Sequence, residues 1–143
     1  MLAEAEEFTV GADDRIGSHE SSPVEITRDA LSRLASAMPG FVARESQRRM
    51  ADEIARTLSG QNTANIAAIE SQTGTGKTIA YLLGAIPAAM AAKKKLIVAT
   101  ATAALQEQLL ARELPAVMRY AGLQIKTAVA KGRGRYVCPA RLE

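Results

Sequence analysis

An α/β fold, with helices packed on a parallel sheet, is what this sequence predicts, on three observations. Short apolar runs at Asn65–Glu70, Leu96–Thr100 and about Gln124–Ala130 alternate with longer segments of helical period, the pattern of βαβ units with right-handed crossovers. A glycine-containing turn, Gly74-Thr75-Gly76, joins the first apolar run to the helical segment after it. The composition is 48% apolar with three Tyr, two Phe and no Trp, so the core is aliphatic, which suits helices on a parallel sheet better than a β-sandwich.

The elements follow in chain order. Residues 1–24 mix acids, Gly11, Gly17, a Ser-His-Glu-Ser-Ser run and Pro23 with no sustained apolar period, and read as a disordered or loosely attached acidic tail, with the domain proper at 25–143. From Thr27, the expected N-cap, Ala30, Leu31, Leu34, Ala35 and Met38 recur at helical spacing until Pro39-Gly40 stops them. A second helix is expected from about Glu45 to Ser59, with Met50, Ile54 and Leu58 on its apolar face and Gly60 closing it. The first strand, Asn65–Glu70, is too short and apolar for a helix. A helix from Thr78 to about Ala92, the strand Leu96–Thr100, a helix from the N-cap Thr102 to about Leu114 and the third strand complete the chain.

The formal net charge is +3, yet residues 1–22 hold six acids against one arginine, so the body is basic. A basic body suits a polyanionic partner such as nucleic acid, and it equally suits a solvated surface. The single cysteine, Cys138, excludes an internal disulfide. The N-terminus has neither the basic nor the apolar region of a signal peptide, and no run is long and apolar enough for a membrane helix, so a cytoplasmic address and no membrane partner are expected. His19, the one histidine, sits in the polar tail without a ligand-spaced partner and is expected to be silent. Lys93-Lys94-Lys95 lies at a helix C-terminus, where cations favour the dipole, and reads as a solvated turn.

Chemistry concentrates in Ser71-Gln72-Thr73-Gly74-Thr75-Gly76-Lys77-Thr78, between a predicted strand and a predicted helix. Gly74 and Gly76 can take backbone angles that aim successive amides into one concavity around a phosphate, and the following helix adds its positive end. Lys77 would reach β- and γ-phosphate oxygens, and the Thr78 hydroxyl would bind Mg²⁺. The GxxxxGK[ST] pattern asks for Gly where Ser71 stands, but Gly-Thr-Gly-Lys-Thr in strand-loop-helix context remains specific for a nucleoside triphosphate. The loop by itself does not choose among motor, kinase, GTPase and carrier ATPase.

The flanking text does choose. Phe41-Val-Ala-Arg44-Glu-Ser-Gln47-Arg-Arg-Met50 is similar to the adenine-sensing Q-motif of the DinG branch of the XPD-like helicases of superfamily 2, with its R-x-x-Q core intact. A Gln amide offers both a donor and an acceptor to the adenine edge; alone, Arg44 and Gln47 would equally be first-turn residues of a helix. Glu70-Ser-Gln-Thr-Gly-Thr-Gly-Lys-Thr-Ile-Ala-Tyr-Leu-Leu resembles that family's motif I, with Ser71 and Gln72 where many members have Ala and Gly. Ile97-Val-Ala-Thr100-Ala-Thr102-Ala-Ala-Leu105-Gln106-Glu-Gln108 resembles motif Ia, in which Thr100 and Thr102 would donate to DNA phosphates; helix capping is the other role open to them. Lys131-Gly-Arg-Gly-Arg-Tyr136-Val-Cys138-Pro-Ala-Arg-Leu resembles the segment holding the first of four cysteines of a [4Fe-4S] cluster. Cys138 could serve so only in a longer protein, since one thiolate cannot hold four irons.

The resemblance covers about Met38–Leu142 and implies a RecA-like P-loop domain, the first motor domain only, that binds ATP and Mg²⁺ and moves 5′ to 3′ on single-stranded DNA. The family's Asp-Glu-Ala-His box does not occur in these residues, nor does the second RecA-like domain with its arginine finger, so the chain is expected to be an incomplete piece, inactive by itself and exposing unpaired strand edges. Two other readings stay open. One is a non-catalytic nucleotide-binding or interaction module, and the other is a CRISPR-associated DinG-like helicase, which the N-terminal 37 residues without a counterpart leave possible. A small P-loop kinase fits less well, because no acceptor-binding or lid segment follows the loop. Composition is silent on oligomeric state.

Overall fold

The computed structural model describes residues 21–72 and 74–138. Its elements are α1 (Pro23–Ala37), α2 (Glu45–Leu58), α3 (Lys77–Ala91), α4 (Ala103–Gln108), a π turn (Leu109–Glu113), α5 (Leu114–Ala121) and a 3₁₀ turn (Arg133–Arg135). The expected acidic tail lies, through residue 20, outside the described residues.

Helix α1 starts earlier than the apolar period suggests. Ser22 is its N-cap: the Ser22 amide donates to the Glu25 carboxylate at 2.7 Å, and the Glu25 amide donates to Ser22 Oγ at 3.3 Å. This reciprocal box satisfies two amides that would otherwise lack partners, and Pro23 sits where its missing N–H costs nothing. The Glu25 carboxyl is held below its ordinary range, first by the Ser22 backbone N–H and then by the Ser22 hydroxyl. Thr27 is therefore not a cap but an interior residue of α1, buried against α3.

That burial has a specific cause. Pro87 lies inside α3 and has no N–H to give to the carbonyl four residues back, which is that of Leu83. Thr27 Oγ1 donates to this Leu83 oxygen at 3.0 Å, from a site that is 1% exposed. A hydroxyl on α1 thus repairs the gap that Pro87 opens in α3. Thr27→Val keeps the volume and removes the donor, leaving a buried carbonyl unpaired; a loss of about 1–3 kcal/mol is expected in denaturant melts. In a Pro87→Ala background the restored N–H should make Thr27→Val cost clearly less, and equal costs in both backgrounds would refute this account.

Helix α2 buries a face different from the expected one. Leu58 is 49% exposed and Met50 and Ile54 are only partly covered, while Gln47, Ala51 and Ala55 are buried. Small residues win because α2 lies close on α3: a Cβ added at Gly84 of α3 would stand 2.5 Å from the Ala51 carbonyl oxygen and 3.0 Å from Ile54 Cβ. At that separation the inner face has room for alanine rather than for leucine or methionine. Arg28 of α1 grips Asp52 of α2 through two nitrogens, at 2.6 and 2.9 Å, holding the α1/α2 angle from the rim.

The apolar core joins α1, α3 and α5 through Leu34, Leu82, Leu83 and Val117, with Ile79 and Ile86 beside them. Helix α3 begins at Lys77 and ends at Ala91, one residue from the expectation at each end. Lys93 follows in the left-handed region, φ 51°, closing α3 with bonds from the Lys93 and Lys94 amides back to Met90 and Ala89 carbonyls. This is the solvated turn expected of the lysine run. Thr102 caps α4 as expected, accepting from the Leu105 amide at 3.2 Å. The helical path then passes Leu114 and runs to Ala121. Pro115 would clash with the carbonyl of Ala111 in a regular α-helix, and the π turn just before it gives the ring room.

The expected sheet is not formed among the described residues. Segments 65–70, 96–100 and 124–130 are neither helical nor paired, and Ile66 and Ile97 are 85% and 88% exposed. A strand is stabilised by its neighbours' N–H and C=O groups, and a parallel strand also by helices over both faces. Apolar pattern alone supplies neither. These segments should drive self-association: size-exclusion chromatography is expected to show concentration-dependent oligomers that Ile66→Thr/Ile97→Thr reduces. A sharply melting monomer at all concentrations would contradict this. No helix among the described residues is long and apolar enough to cross a membrane.

Candidate functional site

The glycine loop leads directly into α3, as its sequence requires. Gly74 and Gly76 have φ of 76° and 75°, and Gly76 is the left-handed residue from which α3 springs. An added Cβ at Gly76 would also displace the Gln47 side-chain amide. Thr73 lies outside the described residues.

Within the loop the polar groups satisfy one another. Ser71 Oγ and Thr75 Oγ1 are 2.7 Å apart, and Thr75 Oγ1 donates to the Gln72 carbonyl at 2.8 Å. Lys77 Nζ donates to the carbonyls of Ser71 at 2.8 Å and Gln72 at 2.7 Å. The ammonium is thus folded over the backbone of its own loop, on a flexible stem that can exchange carbonyl oxygens for phosphate oxygens. Ser71, where the pattern asks for Gly, closes the loop through its hydroxyl. Thr78 stands in the first turn of α3, and the phenol of Tyr81 one turn on is raised above its ordinary value by burial first, with the nearby Thr78 hydroxyl pulling the other way.

Arg44 and Gln47, thirty residues upstream, are brought onto this loop by α2. Arg44 Nη1 donates to the Gly74 carbonyl at 2.9 Å, and Gln47 Nε2 points at the Gly76 carbonyl at 3.4 Å. Gln47 Oε1 accepts from the Arg44 amide at 2.9 Å, and the side chain is only 4% exposed. Both ends of the Gln47 amide therefore meet protein groups. The first-turn role and the loop contact coincide in the same two residues, and only the close α2/α3 packing makes the second possible.

Thr100 and Thr102 line a separate polar cleft of about 250 Å³ together with Gln106, Lys131 and Arg135. Thr100 Oγ1 donates to the Thr102 carbonyl at 3.2 Å. Sequence reasoning placed Lys131 and Arg135 only beside Cys138; the tertiary fold carries them to the threonines. A cleft of similar size between α1 and α2 surrounds the Arg28–Asp52 ion pair, and no residue of the glycine loop lines it. Cys138 is exposed, and no group of three or more His, Cys, Asp or Glu is gathered among the described residues. The residues present do not fit a four-iron cluster.

Comparison with known proteins gives the family. The chain is 42% identical over 109 residues to the ATP-dependent DNA helicase DinG of Salmonella typhimurium, 41% identical over 109 residues to that of Escherichia coli, and 40% identical over 118 residues to that of Photobacterium profundum. These matches take in 76–81% of the chain but only 15–17% of each relative's length. The sequence profile of the DEAD/DEAH box helicases matches residues 44–136, from the Arg44 that reaches the glycine loop to the Tyr136 that closes the Lys131 turn, and the chain belongs to that family.

Proposed function

We propose that this chain is the N-terminal part of an ATP-dependent DNA helicase, and that it binds ATP and Mg²⁺ through the Walker A loop Ser71–Thr78. The family implies a RecA-like α/β domain, so segments 65–70, 96–100 and 124–130 would pair into its sheet in the complete first motor domain. The observation that carries the reading is the loop itself: two left-handed glycines at the start of α3, with the Lys77 ammonium over the loop and the Thr78 hydroxyl one residue on. Amides and the helix end would cradle the β-phosphate, Lys77 would pass from loop carbonyls to β- and γ-phosphate oxygens, and the Thr78 hydroxyl would bind Mg²⁺. Thr75, Gln72 and Ser71 would give up their mutual bonds as the phosphates enter, with Thr73 completing the loop.

Arg44 and Gln47 would report adenine to the phosphate loop, since Gln47 can face the base only by letting go of a protein partner. Thr100 and Thr102 would contact single-stranded DNA through its phosphates, along which the complete enzyme would translocate 5′ to 3′. By itself the chain would hydrolyse ATP little or not at all, because phosphoryl transfer needs an acidic pair for the metal and an arginine finger that these residues do not supply. Cys138 would be the first of four cluster ligands only in a longer protein. A cytoplasmic site of action is part of this reading. The test is equilibrium titration with fluorescent ATP, for which saturable binding displaced by unlabelled ATP is expected. Absence of binding would overturn the reading, and binding without detectable phosphate release would be its full expected outcome.

A further inference from the structure

We infer that Lys131 and Arg135 form the cationic half of a single-stranded nucleic-acid backbone site, completed by Thr100, Thr102 and Gln106 in the polar cleft beside α4. The inference rests on the DNA-binding part of the proposed function and extends it to residues some thirty positions away in sequence. The lining holds two cations, two hydroxyls and an amide, and no acid. Neither Lys131 nor Arg135 forms an ion pair among the described residues. The two cations match a phosphodiester, which offers only acceptor oxygens and negative charge; the second N–H of Gln106 adds to them, and the Thr100 hydroxyl would join by releasing the Thr102 carbonyl.

The cleft is held together by the fold. Gln106 Nε2 donates to the Ala130 carbonyl at 3.1 Å, pinning the chain just before Lys131 to the helix that follows Thr102. The Lys131 amide donates to the Tyr136 hydroxyl at 2.8 Å, which folds residues 131–136 back on themselves around the 3₁₀ turn that presents Arg135. Gln106 is thereby a positioning residue for the two cations. No aromatic side chain lines the cleft, so bases would not stack there and recognition would be of the backbone, independent of sequence.

The test measures the affinity of the full chain for a labelled oligothymidylate across a series of salt concentrations. Each phosphate neutralised on a single strand contributes about 0.7 to the slope of log K against log salt. Lys131→Ala and Arg135→Ala should each flatten the slope by about that amount, the double variant by about twice as much, and Lys131→Arg should restore it. The same changes are expected with a mixed-sequence oligonucleotide, while melting and fluorescent-ATP binding stay as in the parent chain. A structural role alone would lower stability without moving the slope. An unchanged slope in the double variant would overturn the inference, and so would a parent chain that binds ATP but no oligonucleotide at low salt. Displacement of the oligonucleotide by inorganic phosphate, beyond that by chloride at equal ionic strength, would overturn it in favour of a free-anion site. Loss of ATP binding with the slope changes intact would refute the nucleotide reading alone.

Discussion

Replacement of Lys77 by alanine is expected to lower affinity for fluorescent ATP by roughly 10- to 100-fold while leaving the fold standing. A hydrogen bond to a charged partner is worth about 1.5–3 kcal/mol, which converts to a loss of that order. The side chain is not needed for packing: among the described residues its ammonium bonds the carbonyls of Ser71 and Gln72, and the described part of the loop is exposed or half-buried. Melting temperatures of the two proteins without nucleotide should therefore agree closely, and ATP should raise the melting temperature of the parent alone. Lys77→Arg sharpens the test. It retains the charge but replaces a compact ammonium with a longer planar fork, so intermediate affinity is expected. Equal affinity for the parent and Lys77→Ala would show that the loop does not hold the phosphates.

Gly84→Leu should unfold the chain or bring it close to unfolding, and Gly84→Ala should cost about 1–3 kcal/mol. The mild change is the informative one, since alanine is better than glycine in a helix by about 1 kcal/mol and would stabilise α3 if nothing stood in its way. What stands in its way is backbone: the Ala51 carbonyl oxygen lies 2.5 Å from the added Cβ, and a carbonyl of α2 cannot rotate aside as a side chain can. The helices must separate. Because α2 also carries Arg44 and Gln47 onto the glycine loop, the same displacement should weaken ATP binding in protein that remains folded. Denaturant melts and the ATP titration measure the two effects separately. A Gly84→Ala chain as stable as its parent would refute the close α2/α3 contact.

Helix positions were legible in the sequence wherever the apolar period met a recognisable stop or cap, as at Gly60, Thr102 and the lysine run after α3. They were misjudged where a local motif outranked the period. Ser22-Pro23-Val24-Glu25 is a capping box with proline inside it, a stronger start signal than the lone Thr27 ahead of the first apolar pair. On α2 the pattern Met50, Ile54, Leu58 is the more hydrophobic stripe, yet Gln47, Ala51 and Ala55 are buried, because the neighbour's Gly84 sets how close the helices come. Hydrophobicity identifies an amphipathic helix; the partner's shape chooses the rotation.

The glycine loop was determined by the sequence alone, since Gly-Thr-Gly-Lys-Thr at a strand-like run and a helix start leaves little conformational choice, and the family resemblance followed from residues in the same short windows. Tertiary structure decided what is distant along the chain. It brought Arg44 and Gln47 onto the loop carbonyls, gave Thr27 the task of supplying the hydrogen bond that Pro87 withholds from Leu83, and set Lys131 and Arg135 beside Thr100 and Thr102. The physical reason is common to all three. A loop conformation depends on φ and ψ of consecutive residues, which sequence specifies locally, whereas a hydrogen bond or charge cluster between remote residues depends on helix rotation and separation, which only the packed core fixes.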